Sequence, residues 1–461
     1  AVCGKSTHNG QVIDGGQMTR SAQPDRTEDP GVGKLGSLRL CAYGLLTMPI
    51  AMAGLILLTY LPTYYAIDMG LGLAAVGAAA VAGRLLDVVT DPLIGHFSDQ
   101  TRSRFGPRKP WMMVGIVGFC LATWFVMNPP VGVGILYLAL AGAAYFLFLT
   151  VLDVPYSSVG LELSSNPTER TTLASTKAAF QVAGAILAGF FPLILAVPLA
   201  QALPTMAATV VGLALAGFLL FVLFIPVPHE NVRRPRVGVT IALRFIAAHP
   251  RFRRLLASFA LVQTGNAFFS GLAVLYITFI LADPALVGLM IGLLFLATAA
   301  LLPLWQMLAT RFGKVGTWKV GIVASCVAFA LLPLFGAGET IAIALLFFAI
   351  GATFGADAVM PTSILADIAY ADEVEENRRQ SGLYLSIKNG ASKLAFVVPL
   401  AVAFPILDLV QFEERAGEDP TVRLTFLLFF AALPIGFKLA ALAVLSRRQW
   451  TPAGATEGQA V

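Results

Sequence analysis

The chain has 461 residues, of which 57% are hydrophobic and 12% charged, with a formal net charge of +5. A soluble domain carries about 25% charged residues, so this composition excludes a protein whose surface mostly faces water. The positive balance calls for no nucleic-acid partner, because the placement of basic residues between apolar segments accounts for it. Four scattered cysteines (Cys3, Cys41, Cys120, Cys326) suggest neither a disulfide framework nor a metal site.

In chain order, residues 1–37 are polar and Gly-rich and read as a disordered tail without the apolar core of a signal peptide. The chain opens on Ala1 and Met18 is its first Met, so residues 1–17 read as a tag or a mis-set start. Twelve apolar segments of membrane-spanning length follow, beginning near residues 38, 72, 110, 132, 174, 205, 255, 285, 317, 339, 381 and 422. Basic residues gather in alternate loops: Arg102, Arg104, Arg108 and Lys109; Arg233, Arg234, Arg236, Arg244, Arg251, Arg253 and Arg254; Arg311 and Lys314; Arg378 and Arg379; Arg447 and Arg448. Arg415 and Arg423 are the exceptions on the opposite side. The positive-inside rule then places both termini in the cytoplasm and the protein in the inner (plasma) membrane.

The first segment has no acidic or basic side chain between Arg39 and Asp68. The second carries Asp87-Val-Val-Thr-Asp91, with Arg84 one turn earlier, so that Arg84, Asp87 and Asp91 share a face at i, i+3 and i+7. Each bare charge near a bilayer centre costs about 2.5–3.5 kcal/mol on insertion scales, so three on one face must meet a cavity, one another, or an ion. Two carboxylates one turn apart cannot both ionise cheaply in a low dielectric. Protonating one, or binding Na⁺ between them, resolves the conflict, and either makes the filled site less charged than the empty one. Arg84 and Lys388 are the expected counter-charges. Arg84–Asp87 also reads as a structural pair, Asp91 as a kink partner before Pro92, and Asp153 as a cap for the break at Pro155. Lys393 is expected to snorkel, His96 to be interfacial, and Trp111 and Trp318 to anchor at the interface. Gln263, Thr264 and Asn266 read equally as pocket liners or as helix–helix hydrogen-bonding groups.

The two halves of the chain match at an offset near 207 residues. Arg104-Phe105-Gly106 corresponds to Arg311-Phe312-Gly313, Trp111 to Trp318, and Glu169-Arg170 to Glu376-Asn377-Arg378. This predicts an all-α membrane protein of two pseudo-symmetric six-helix halves, the major facilitator fold. Its parts are a tail (1–37), an N-terminal half (38–227), a basic cytoplasmic linker (228–253), a C-terminal half (254–446) and a cytoplasmic tail (447–461).

Asp87-x-x-Thr-Asp91-Pro92-x-x-Gly95, followed by Ser98-Asp99-x-Thr101-Arg102-Ser103-Arg104-x-Gly106-x-Arg108-x-Pro110-Trp111, resembles the glycoside–pentoside–hexuronide:cation symporter family, of which melibiose permease is the type. The likeness continues in Asp153-x-Pro155-Tyr156, Glu169-Arg170-Thr171, Leu365-Ala366-Asp367 and Lys388-Asn389-Gly390. The resemblance implies a cation site of Asp87, Thr90, Asp91 and Thr150, with Na⁺ or H⁺ as coupling ion and no other cofactor. It places substrate-binding or coupling contacts at Arg84, Asp153, Tyr156, Lys177 and Lys388. Oxygen donors suit a hard cation, and the Thr90 and Thr150 hydroxyls add to the two carboxylates. Two departures weaken a melibiose-type pocket: the sugar-binding Asp of the first helix falls on Ala51, and the stacking Trp on Ser157. Around the turns, Asp99, Arg102, Arg104, Glu169, Arg170, Asp372 and Arg378 are expected to form a cytoplasmic ion-pair gate that breaks for release; a merely solvated, topogenic role is the competing reading.

The expected function is cation-coupled secondary transport of a small solute, a sugar or glycoside, by alternating access, with a non-sugar solute or lysolipid-like amphiphile as the alternative. No Walker A pattern supports ATP drive. A membrane-embedded transferase is the least favoured class, because no His sits in a catalytic motif. The expected partners are a small-molecule substrate and membrane lipid, and one chain with all twelve helices is expected to work as a monomer.

Overall fold

The computed structural model describes residues 36–101, 103, 106, 108–163, 167–225, 244–245, 248–336, 338–376, 381–416 and 419–446, without the side chains of 96, 99, 161, 162, 167, 168, 170, 171, 372–376 and 381–383. The described chain folds into twelve spanning elements. The first six are α1 (Ser37–Asp68), α2 (Leu73–Gln100), α3 (Lys109–Met127), α4 (Ile135–Glu162), α5 (Pro167–Leu195) and α6 (Leu199–Phe224). The second six are α7 (Pro250–Ile280), α8 (Pro284–Ala300 and Leu302–Phe312), α9 (Lys314–Leu334), α10 (Thr340–Glu376), α11 (Ser381–Ala395 and Val397–Leu409) and α12 (Pro420–Ser446). Eleven are long and apolar enough to cross a membrane as they stand, and α8 makes the twelfth as a pair of helices bent by 43°.

Several boundaries move. Helix α5 starts at Pro167, two turns before the expected 174, with Glu169 in its first turn where the helix dipole favours an acid, while its apolar span begins at Thr172. The linker region is not all solvent-facing: Phe245 is buried, with its ring 4.7 Å from Tyr384 and 4.2 Å from His249. The tails and residues 226–243 lie outside the described residues. Gly106 and Gly313, paired by the sequence repeat, both take a left-handed φ (+85° and +71°), the conformation that only glycine adopts without strain. Helices α1 and α7, the first of each half, both end in a π-helical turn (Tyr64–Asp68 and Tyr276–Ile280), the wider turn common near functional sites.

The halves meet along α2–α11 and α5–α8. At the face carrying the loop 69–72 the contact is backbone on backbone. A Cβ on Gly77 would stand 2.5 Å from the Leu400 carbonyl oxygen, and one on Gly189 would stand 2.9 Å from the Cα of Gly292. On the same face the Asp408 carboxylate of α11 accepts the Leu73 N–H of α2 at 3.0 Å, capping a helix of the opposite half. Larger residues at these crossings would separate the helices. Gly77→Val is therefore expected to destabilise the protein by about 1–3 kcal/mol, read as a lowered unfolding temperature in detergent. Exposed Ala78→Val serves as a control that should leave it unchanged.

Candidate cation and substrate site

The i, i+3, i+7 spacing on α2 turns Arg84, Asp87 and Asp91 toward α4 and α11. Asp87 is 1% exposed. Its Oδ2 takes the Arg84 guanidinium at 3.3 Å and the Lys393 ammonium at 3.0 Å. Asp91 Oδ2 receives the same ammonium at 2.6 Å. From α4, the Thr150 hydroxyl lies 2.9 Å from Asp87 Oδ1 and 3.1 Å from Asp91 Oδ1. A hydroxyl has one hydrogen, so it can donate to one of these oxygens at a time. The bridge is completed by a proton on either carboxyl group, or by a cation among the three oxygens. Two positive and two negative groups thus meet in one cluster, buried at Asp87 and about a third exposed at Asp91 and Lys393, and one of the positive groups belongs to the other half. The Arg84 guanidinium also lies over the Phe146 ring at 4.8 Å, at the edge of an apolar cavity of about 40 Å³ lined by Leu57, Leu61, Tyr65, Val76 and Leu400.

The structure redistributes several expected roles. Lys393, expected to snorkel, is the residue that reaches the carboxylates. Lys388, expected as their counter-charge, instead donates to Thr362 Oγ1 at 2.9 Å and lies 4.8 Å over the Phe259 ring. The two lysines are five residues apart, so they project from different faces of α11, and only one points at α2. Thr90 is buried, but its hydroxyl donates to the Asp87 backbone carbonyl at 3.3 Å and not to a carboxylate, which leaves Thr150 as the hydroxyl between the acids. Trp318, expected at the interface, is 0% exposed and donates its indole N–H to Asp357 at 3.0 Å.

A second cluster lies further along the same face of α4, since Thr150, Asp153 and Ser157 are spaced i, i+3, i+7. Lys177 of α5 donates to Ser157 Oγ at 2.7 Å, reaches Asp153 Oδ1 at 3.4 Å, and sits 4.8 Å over the Tyr156 ring. Tyr156 itself is buried: its hydroxyl donates to the Tyr43 carbonyl at 2.5 Å and contacts Thr47 Oγ1 at 2.7 Å, so it holds α4 against α1. The Asp153–Lys177 pair is the accessible part, with side chains 41% and 25% exposed.

Of the expected gate, Glu169 is described and half-buried. The side chains of Asp99, Arg170 and Asp372, and all of Arg102, Arg104 and Arg378, lie outside the described residues. Nearby, Arg108 is buried and donates to Ser98 Oγ at 3.2 Å, tying the start of α3 to the end of α2.

Sequence reasoning missed Asp357 and Lys438. They form an ion pair at 2.8 Å with side chains 2% and 0% exposed, inside the C-terminal half. The signal was present, since each is an ionisable residue within an apolar span and such residues are paired. What was missing was the partner, because the two lie on different helices with no spacing to connect them.

Removing the shared ammonium should leave the buried Asp87 and the partly exposed Asp91 carboxylates facing each other. Lys393→Met is expected to cost about 1.5–3 kcal/mol, the range for hydrogen bonds to charged groups, and adding Asp91→Asn should recover part of that loss. Thermal unfolding of the two variants beside the wild type checks this. A Lys393→Met variant as stable as the wild type would show that the ammonium does not stabilise the pair, and equal losses in single and double variant would show that the cost does not come from the unpaired Asp91.

A family model described as MFS/sugar transport protein matches residues 42–450. An uncharacterized symporter of Synechocystis sp. is 36% identical over 173 residues, which are 35% of this chain and 31% of that protein. The match thus spans about a third of that relative's length. The isoprimeverose transporter of Lactiplantibacillus pentosus is 26% identical over 132 residues, 28% of each chain. The sodium-dependent lysophosphatidylcholine symporter 1 of Gallus gallus is 22% identical over 409 residues, 78% of this chain and 76% of that one. Among solved structures, the nucleoside transporter NupG superposes with a TM-score of 0.63 at 15% identity, covering 89% of this chain and 100% of that one. A bacterial homolog of the human lysosomal transporter Spinster, in its inward-facing and unoccupied conformation, gives 0.61 at 12% identity, covering 90% and 98%. The fold is that of the major facilitator superfamily, and the chain belongs to the MFS/sugar transport protein family.

Proposed function

We propose that the protein is a cation-coupled symporter that moves a small solute by alternating access between its two halves. The observation that carries this is the Lys393 ammonium shared by Asp87 and Asp91, with the Thr150 hydroxyl bridging the other oxygen of each. Four carboxylate oxygens and one hydroxyl make an all-oxygen donor set, which fits a hard monovalent cation, and the single hydroxyl hydrogen fits a shared proton equally. Asp87, Asp91 and Thr150 would hold the ion. Bound there, it supplies positive charge that otherwise comes from Lys393. The ammonium, on Oδ2 of each acid, and the ion, beside Thr150 on the Oδ1 side, compete for the negative charge of the same two carboxylates, so ion binding weakens the hold of α11 on α2. Both termini are assigned to the cytoplasmic side of the inner membrane by the basic residues of the even-numbered loops.

The solute site is assigned to Asp153 and Ser157, which lie on the same α4 face as Thr150, and to Lys177, which reaches them from α5. A sugar or glycoside is the first reading, since a carboxylate and an ammonium side by side can accept from and donate to vicinal hydroxyls. A lysolipid-like amphiphile is the second. It is favoured by Ala51 and Ser157, which remove an acidic and an aromatic sugar contact. The relatives named for isoprimeverose and for lysophosphatidylcholine stand on either side of this choice.

Thermal stabilisation of the purified protein by Na⁺, and its dependence on pH, tests the coupling. Saturable Na⁺ stabilisation that is lost in Asp91→Asn is the outcome expected for a sodium site. A pH response without a Na⁺ response assigns the proton, and a wild type indifferent to both overturns cation coupling. Lys177→Ala is expected to reduce solute uptake into proteoliposomes by about tenfold or more while leaving the cation response in place, since a charged hydrogen bond of about 1.5–3 kcal/mol is lost. A panel of labelled glycosides against lysophosphatidylcholine decides the solute class.

A further inference from the structure

The C-terminal half holds a polar network that the proposed cycle does not yet use. Asp357 of α10 collects groups from three other helices: the Lys438 ammonium of α12 at 2.8 Å, the Trp318 indole N–H of α9 at 3.0 Å and the Asn266 amide of α7 at 3.0 Å. The Lys438 ammonium otherwise faces the Phe329 and Phe354 rings, at 5.6 and 5.7 Å. The network continues outward from Asn266. Its amide also donates to Gln263 Oε1 at 3.3 Å, and Gln263 Nε2 donates to Ser392 Oγ of α11 at 3.2 Å. Ser392 is the neighbour of Lys393. Both occupy the last turn of Ser381–Ala395, where α11 breaks at Phe396 before resuming at Val397. Consecutive residues at this break are therefore held by two different helices, Lys393 by the carboxylates of α2 and Ser392 by α7.

From this arrangement we infer that Asp357 and Lys438, acting through Asn266, Gln263 and Ser392, are positioning residues for Lys393 and so set how strongly it competes with the coupling cation. The inference rests on the cation-coupling reading above. An anchored α7 fixes Gln263, Gln263 fixes the end of the first piece of α11, and the ammonium is thereby presented to Asp87 and Asp91 without searching for them. Cutting the tether frees the end of the helix. The ammonium then has more conformations to lose on returning to the carboxylates, and a cation meets a weaker competitor. A buried pair that only stapled α10 to α12 would have no such effect at a site on α2.

The test is a cation titration of thermal stability, with Na⁺ or pH according to the wild-type response. The variants are Gln263→Met, Ser392→Ala and the charge-neutral double variant Asp357→Asn/Lys438→Met, each also made in a Lys393→Met background. Loss of one hydrogen bond in the tether should shift the titration midpoint toward tighter cation binding by about threefold to tenfold. In the Lys393→Met background the same changes should shift it no further, because the group they position is gone. Gln263→Met leaves the buried ion pair intact, so it carries the test if the double variant does not fold. A responsive wild type whose midpoint ignores Gln263→Met, or a shift that persists without Lys393, overturns the inference alone. A wild type that responds to neither ion overturns the coupling reading and this inference together.

Discussion

Two carboxylates one helical turn apart in a membrane span need compensating charge, and here the compensation is divided between the two halves of the molecule. Arg84 comes from the same helix and reaches Asp87. Lys393 comes from α11 and touches both acids. Leaving an ion unpaired in such an interior costs several kcal/mol even after relaxation. The N-terminal cluster is therefore neutral only while α11 lends it an ammonium. That requirement fixes the rotation of α11, its depth relative to α2, and the approach of α4, whose Thr150 hydroxyl must reach both acids from the other side. The C-terminal half needs no such loan, because Asp357 and Lys438 neutralise each other within it. The asymmetry gives the halves different tasks despite their common architecture.

How much of this was legible in the sequence depends on whether a local rule applied. The α2 constellation obeys the helical period, so Arg84, Asp87 and Asp91 fall on one face by counting residues. The twelve spans and the pairing of Gly106 with Gly313 follow likewise from length, hydropathy and the repeat. Choosing between Lys388 and Lys393 required the rotation and depth of α11, and both are set by its break at Phe396 and by packing against α2 and α7. Hydropathy carries neither quantity. Trp318 matched Trp111 in the repeat and inherited its expected interfacial place, but the carboxylate that accepts its indole N–H, Asp357, falls on Thr150 at the same offset, so the first half offers no carboxylate to signal the difference. Thr90 sends its hydroxyl hydrogen to a backbone carbonyl instead of a carboxylate, for a local reason. A threonine in a helix can bond back to its own preceding carbonyls, and that local option competes with any ligand role. The fate of most gate residues lies outside the described residues, so their charge pattern is still a reading of sequence alone.

The contacts between halves are of two kinds, and the difference determines what an ion could change. At the face of the 69–72 loop the helices touch through glycine crossings and through the Asp408 cap on Leu73, contacts to which the cluster at mid-span contributes nothing directly. At mid-span the halves are joined by charge, through Lys393 on the two acids. A ligand shifts a conformational equilibrium only by its difference in affinity for the two states. On the proposed reading, that difference is available because the cation and the ammonium neutralise the same two carboxylates. Cation binding cancels the electrostatic tie and leaves the packed contacts standing. The most it can move the balance is what the tie was worth, about 1.5–3 kcal/mol for charged hydrogen bonds, or roughly a ten- to hundredfold change in population. This lies in the usual range of coupling between sites. An ion acting on that tie alone would bias the rocking of the halves without locking them, and that leaves room for the solute at Asp153 and Lys177 to contribute the rest.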